Sequence, residues 1–213
     1  TMSWERARSE EQIEYRISEI LEATAKLYQE YRFEKITFVM IAKEAGFTRS
    51  NLYRYFKTKE DIFLKLLSSD MAVWRKNIVE NFSQDEKSLS DFSRRWVALL
   101  LKHQRMLEIY TILYTLLEKN ATLEALVDFK KSIFTEMNTG IEILKKVLPF
   151  PSSEAAMEFL YASISLTIGI YPLMNFSTKQ KEAMEVVGTE MPLEKAMAML
   201  ENSTLSLLKG ILN

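Results

Sequence analysis

The sequence predicts an all-α protein, and three observations predict it. Its 213 residues include only 5 glycines and 4 prolines, which leaves few places for tight turns. Leu, Glu, Lys, Met and Ala dominate, and these side chains favour helices over sheets. Apolar residues recur at spacings of three and four, the period of one helical face. With 47% hydrophobic and 27% charged residues, the composition is that of a globular chain able to bury a core. The absence of cysteine and the single histidine, His103, exclude a disulfide framework, a thiolate metal site, a cysteine nucleophile and any site that needs two imidazoles. No metal and no cofactor is therefore expected. Glu108 or Glu158 could act as a general base, but nothing arranges a nucleophile or a paired acid beside either, so an enzyme is not expected.

The first helix is read from Ile13 through Ile17, Ile20, Leu21, Leu27, Tyr28 and Tyr31. A break at 32–36 precedes Thr37, placed to cap a two-turn helix carrying Phe38, Ile41, Ala42 and Ala45. Gly46 ends that helix, and Thr48 caps the next, Arg49 to Tyr55, with Leu52 and Phe56 facing inward. A glycine between two short helices supplies the conformation that the turn of a helix-turn-helix needs. Thr58 caps a long helix from Lys59 towards Asn81, with Glu60 and Asp61 in the first turn as the helix dipole prefers. Further helices are expected over 90–103, 105–120, 122–148, 153–175 and 193–212. Pro149 and Pro151 separate two of them, and 176–191 reads as a polar connection before Pro192. These elements divide the chain into a small unit, residues 1–58, and a larger helical one, residues 59–213, joined by a continuous helix.

Residues 1–12 are mixed in charge and have no apolar core, so no secretory signal is expected and the protein is assigned to the cytoplasm. The stretch 155–176 is nearly uncharged over about the length of a bilayer span. It contains Glu158, Ser163, Ser165, Thr167, Gly169 and Pro172 and lacks flanking basic anchors, which argues for a helix buried in a core or a subunit interface and against a membrane. The net charge of -1 conceals a local basic window: from Ala45 to Lys59 there are Arg49, Arg54, Lys57 and Lys59 and no acid, as a small nucleic-acid contact surface requires.

The segment from Ile41 to Phe63, IAKEAGFTRSNLYRYFKTKEDIF, resembles the DNA-binding domain of the TetR family of transcriptional repressors. The likeness is close over about the first quarter of the chain; beyond it, length and helix pattern carry the match. Arg32 stands where the family often has glycine after the first helix. The resemblance implies a ligand-responsive homodimeric repressor on palindromic double-stranded operator DNA. It also implies phosphate contacts from Thr37, Thr48, Tyr53, Tyr55 and Lys59. Hydroxyls and a helix amino terminus suit that work, which fixes register without reading sequence. A two-turn recognition helix entering the major groove by its amino end brings Arg49, Ser50 and Tyr53 to base edges, with Arg49 the expected guanine reader.

In the larger unit, Trp74, Trp96, Tyr110, Tyr114, Phe134, Met137 and Tyr161 are candidates to line an adaptable pocket for a small, largely apolar effector, although each could equally fill an ordinary core. Glu108, Thr111, Thr115 and Glu118 form a polar stripe whose default is solvent. Leu193, Met197, Leu200, Leu207 and Ile211 mark an apolar face of the last helix. Paired with 155–176 and a second copy, that face makes the four-helix interface the resemblance implies. The competing reading, a helical adaptor that binds protein partners, explains the helices but not the acid-free basic window.

Overall fold

A computed structural model describes residues 2–82 and 88–213. Its elements are α1 (Met2–Glu30), a 3-10 turn (Phe33–Lys35), α2 (Phe38–Glu44), α3 (Arg49–Leu52), α4 (Lys59–Asn81), α5 (Leu89–Lys102), α6 (Gln104–Thr111), a π-helical turn (Leu113–Leu117), α7 (Glu118–Asn120), α8 (Leu123–Val147), α9 (Ser153–Met174), α10 (Thr178–Val186) and α11 (Leu193–Leu212). The all-α expectation holds, with no strand among the described residues. Two compact units form, one from residues 1–69 with 113–131, the other from 70–112 with 132–213. The division therefore falls inside α4 and not after residue 58, because a segment from the middle of the chain joins the amino-terminal unit.

Asp61 shows why that segment belongs there. Its carboxylate, 3% exposed, accepts from the Lys57 and Thr58 amides on one oxygen (3.1 Å each) and from the Thr122 amide and hydroxyl on the other (2.8 and 3.1 Å). The Thr58 hydroxyl in turn accepts from the Asp61 amide at 3.1 Å, closing a reciprocal cap on α4. Thr122 also caps α8, accepting from the Ala125 amide at 3.3 Å. One buried carboxylate thus ties two helix amino termini together, where the unpaired amides and the dipole favour a negative charge. Under it, Phe63 packs edge-on against Tyr28 and Phe33, with centroids 5.3 and 4.8 Å away.

The second unit is centred on Trp96, fully buried on α5. Phe92 stacks on it at 5.7 Å, Trp74 meets it edge-on at 5.7 Å, and Phe159 of α9 lies at 5.3 Å. Its indole donates to the Ser163 hydroxyl at 3.1 Å, which satisfies the one polar atom this ring buries. α11 packs on α9 and α5. Ala196, Leu200, Thr204 and Leu208, spaced by four residues, form its buried stripe.

Three elements differ from expectation. α1 begins at Met2 and not near Ile13; residues 5–12, ERARSEEQ, are charged or polar apart from Ala7, so no apolar spacing marks its start. The expected helix over 105–120 is interrupted at Ile112 and continues through the π-helical turn. No Gly or Pro marks that change, because a π turn needs only one extra residue in the ladder. The polar connection 176–191 contains α10, held by a reciprocal cap between Ser177 and Gln180. α10 buries none of its residues, so hydrophobic spacing could not reveal it.

α9 is long and apolar enough to cross a membrane, at a mean hydropathy of 1.3. A third of its most apolar window, 33%, is buried within the chain, so one face is covered. Phe159, Ser163, Thr167 and Ile170 lie on that face, while Met157, Tyr161, Ser165 and Gly169 lie outside it.

Candidate nucleic-acid interface and effector domain

The helix-turn-helix is built by two threonine caps and one glycine. Thr37 accepts from the Met40 amide and Thr48 from the Asn51 amide, each at 3.2 Å, opening α2 and α3. Between them Gly46 takes φ +72°, a left-handed conformation that costs a glycine nothing and other residues about 1 kcal/mol or more. Leu52 and Phe56 turn inward as expected. α3 is shorter than the sequence suggests, a single turn from Arg49 to Leu52, and 53–55 continue as a turn.

Thr37, Thr48, Arg49, Ser50 and Tyr53 are exposed, while Tyr55 and Lys59 are half-buried. The Arg49 guanidinium donates to the Tyr53 hydroxyl at 3.1 Å and lies 5.5 Å from the centre of that ring. A second neighbour of Tyr53 is Phe38 at the start of α2, whose ring stacks on it at 4.5 Å and 27°. The Thr48 and Ser50 hydroxyls lie 3.1 Å apart. Tyr55 packs edge-on against Phe47 at 5.9 Å. Lys59 has a different setting from the one expected. Its ammonium turns back onto the 3-10 turn, donating to the Phe33 and Ile36 carbonyls at 2.9 Å each and sitting 4.1 Å from the Phe33 ring. Two of its three donors are used in locking that turn, and one remains for a phosphate. Lys57 donates from its ammonium to the Tyr53 carbonyl at 2.7 Å, closing the recognition turn. Sequence reasoning missed Phe38 and Asp61 as parts of this head. Phe38 was legible only as the first apolar residue of α2, since which ring it meets is a tertiary fact.

The seven residues expected at an effector pocket are not brought together in one lining. Trp74, Trp96, Tyr110 and Met137 are buried. Tyr114, Phe134 and Tyr161 stand on the surface of the chain at 56, 67 and 44% exposure, and Tyr114 belongs to the amino-terminal unit. The Trp74 indole nitrogen is buried and has no acceptor among the described residues. A cleft of about 270 Å³ opens between Phe176, Met184, Met191 and Pro192, and none of the seven lines it.

The buried Thr204 hydroxyl likewise has no partner among the described residues, whereas Arg105, His103 and Tyr171 are paired within this unit. Arg105 holds Asp70 through two hydrogen bonds, at 2.9 and 2.5 Å, and that carboxylate raises the Arg105 pKa. His103 is half-buried at the junction of α5 and α6. Its Nε2 lies 3.1 Å from the Asn77 amide nitrogen, a pure donor, so Nε2 accepts. Burial holds the imidazole pKa below its ordinary value. The polar stripe faces water at Glu108, Thr111 and Thr115. Glu108 accepts from the Tyr171 hydroxyl at 3.1 Å, and burial together with that carboxylate pushes the phenol up to about 12.

The face expected on α11 divides. Leu200 is fully buried against Val97 and Ile170 of its own chain, so it belongs to the core and not to an outer face. Leu193 is exposed, and Met197, Leu207 and Ile211 are partly exposed.

Comparison with known proteins supports this architecture. Residues 20–66 match the family model of bacterial regulatory proteins of the tetR family, and residues 68–212 match that of the tetracyclin repressor-like C-terminal domain. The fatty acid metabolism regulator protein of Bacillus subtilis (strain 168) is 27% identical over 89 residues, 42% of this chain; the match spans less than half, 44%, of that relative's length. A TetR transcriptional regulator from Rhodococcus sp. RHA1 superposes with a TM-score of 0.61 at 17% identity, covering 93% of this chain and 97% of the other. The regulator FadR from Bacillus subtilis, solved in complex with stearoyl-CoA, superposes with a TM-score of 0.53 at 22% identity, covering 90% and 96%. With its helix-turn-helix and its helical carboxy-terminal unit both matched, the chain belongs to the TetR family of DNA-binding transcriptional regulators.

Proposed function

We propose that the chain is a homodimeric repressor that acts in the cytoplasm on palindromic operator DNA and responds to a fatty acyl-CoA. The observation that carries the DNA reading is the exposed Arg49 at the amino end of α3, held against Tyr53 in a segment free of acids. Arg49 reads a guanine edge, Ser50 and Tyr53 stand beside it, and Thr37, Thr48 and Tyr55 hold phosphates. Lys59 contributes chiefly by fixing the turn between α1 and α2. Outward residues of α9 and α11, among them Met157, Tyr161, Leu193, Met197, Leu207 and Ile211, supply the dimer face; pairing of two copies sets the recognition helices about 34–36 Å apart.

The effector class is taken from the similarity to a regulator solved with stearoyl-CoA. In this chain Trp74 adds a chemical reason: its buried indole N–H lacks an acceptor among the described residues, a deficit of about 1–3 kcal/mol that a carbonyl oxygen within an otherwise apolar ligand would relieve. Selection of bound duplexes from a random pool tests the DNA reading. A recovered palindrome, bound less tightly as salt rises, is the expected result. No enrichment, together with affinity that ignores salt, would instead fit a protein-binding adaptor. Calorimetry with stearoyl-CoA tests the effector.

A further inference from the structure

Three side chains are linked through Tyr53, just after α3: Phe38 at the first position of α2 stacks on its ring, and Arg49 at the start of α3 is held by its ring and hydroxyl. The rings of Phe38 and Tyr53 lie nearly parallel with centroids 4.5 Å apart, and the guanidinium of Arg49 is held over and at the edge of Tyr53 by ring and hydroxyl. α3 alone is a poor platform for such an arginine, because four residues make barely one turn and its i,i+4 pair with Tyr53 reaches past the helix end. The bracing comes from outside, from Phe38.

We infer that Phe38 is a positioning residue for base reading, which touches no DNA and acts by fixing Tyr53 so that Arg49 enters the groove already oriented. This rests on the DNA-binding reading above. An arginine on an exposed turn must give up rotamer freedom to place two donors on one guanine. The stack removes part of that freedom beforehand and uses one guanidinium donor on the Tyr53 hydroxyl. Four donors are left, enough for a bidentate contact. Restraint of this kind affects discrimination between sequences, because phosphate contacts do not depend on the orientation of Arg49.

The test uses the full chain and duplexes recovered by selection, with a scrambled duplex as reference at fixed salt. Phe38→Ala lowers the ratio of operator to scrambled affinity by about 3- to 10-fold, the worth of one ordered long side chain. Scrambled-duplex affinity and the salt slope do not change. Phe38→Tyr, which keeps the ring, restores the ratio, whereas Phe38→Leu does not. In an Arg49→Ala background Phe38→Ala has no further effect on the ratio, as a double-mutant cycle requires of residues acting in series. Equal losses on both duplexes, full rescue by Leu, or an undiminished effect without Arg49 would each overturn the inference and leave Phe38 as ordinary packing. A wild-type chain that does not distinguish the two duplexes overturns the DNA-binding reading itself, and the inference with it.

Discussion

At the scale of single residues, the buried acids and the one histidine do work that their sequence positions only partly disclose. Asp61 was legible as a first-turn acid of α4. Its second oxygen, bonded to Thr122 sixty-one positions away, was not, because sequence spacing is silent about distant pairs. Asp61→Ala leaves the Lys57, Thr58 and Thr122 amides without their acceptor and should cost about 3 kcal/mol, read as a lower urea midpoint. Asp61→Asn, which keeps one acceptor oxygen, should cost less. His103 sets a pH dependence. Its Nε2 accepts from Asn77, so protonation would set two donors against each other. Burial and Lys102 also oppose the charge, and Asp70 favours it. The folded pKa lies below the ordinary value of 6.5, so the unfolded chain takes up its proton first. Stability from this site is complete above pH 6.5 and declines as the pH falls below that value through the folded pKa. Urea midpoints at pH 8 and pH 5 should differ more for the wild type than for His103→Gln; an unchanged difference would assign the effect to other groups.

At the scale of elements, what could be read from sequence follows from what each helix buries. α2, α8, α9 and α11 were found because a cap or proline marks their ends and an apolar stripe runs between. α10 was missed because it buries none of its residues, the start of α1 because its sequence is too polar to show a stripe, and the π-helical turn because it leaves no compositional trace. The same limit misplaced Leu200. Periodicity gives the apolar positions of α11 but not which are taken by α5 and α9 of the same chain. Since Leu200 is fully buried in the chain, Leu200→Ala should lower stability by about 2–5 kcal/mol without affecting assembly. Charge at Tyr161 or Leu207, by contrast, is tolerated by the folded monomer and opposes the dimer. A penalty of about 3 kcal/mol for Leu207→Asp corresponds to a dissociation constant raised roughly 100-fold. Light scattering at micromolar concentration should then report a monomer with an unchanged circular dichroism spectrum. A dimer surviving in both charged variants would move the interface elsewhere.

At the scale of the whole molecule, DNA affinity and effector affinity are linked by thermodynamics. α4 runs unbroken from Lys59 to Asn81 and contributes residues to both compact units. Its first turn carries Lys59 and Asp61, which fix the turn before α2 and the start of α8. Farther along the same helix Trp74 meets Trp96. An effector that reorders the packing around Trp74 therefore acts on a helix whose other end anchors the reading head. For a coupling free energy of about 1–3 kcal/mol, stearoyl-CoA should weaken operator binding by roughly 5- to 150-fold. Reciprocity then fixes the converse without further assumption: saturating operator must weaken stearoyl-CoA binding by the same factor. Both numbers can be measured on one preparation, the first by fluorescence anisotropy of labelled operator, the second by tryptophan quenching with Trp74 and Trp96 as reporters. Trp74→Phe should reduce the second affinity while leaving operator binding of the ligand-free protein unchanged, because the substitution removes the indole donor and not the head. If stearoyl-CoA binds with equal strength in the presence and absence of operator, the two sites are uncoupled for this ligand. Repression would then have to be relieved by some other signal.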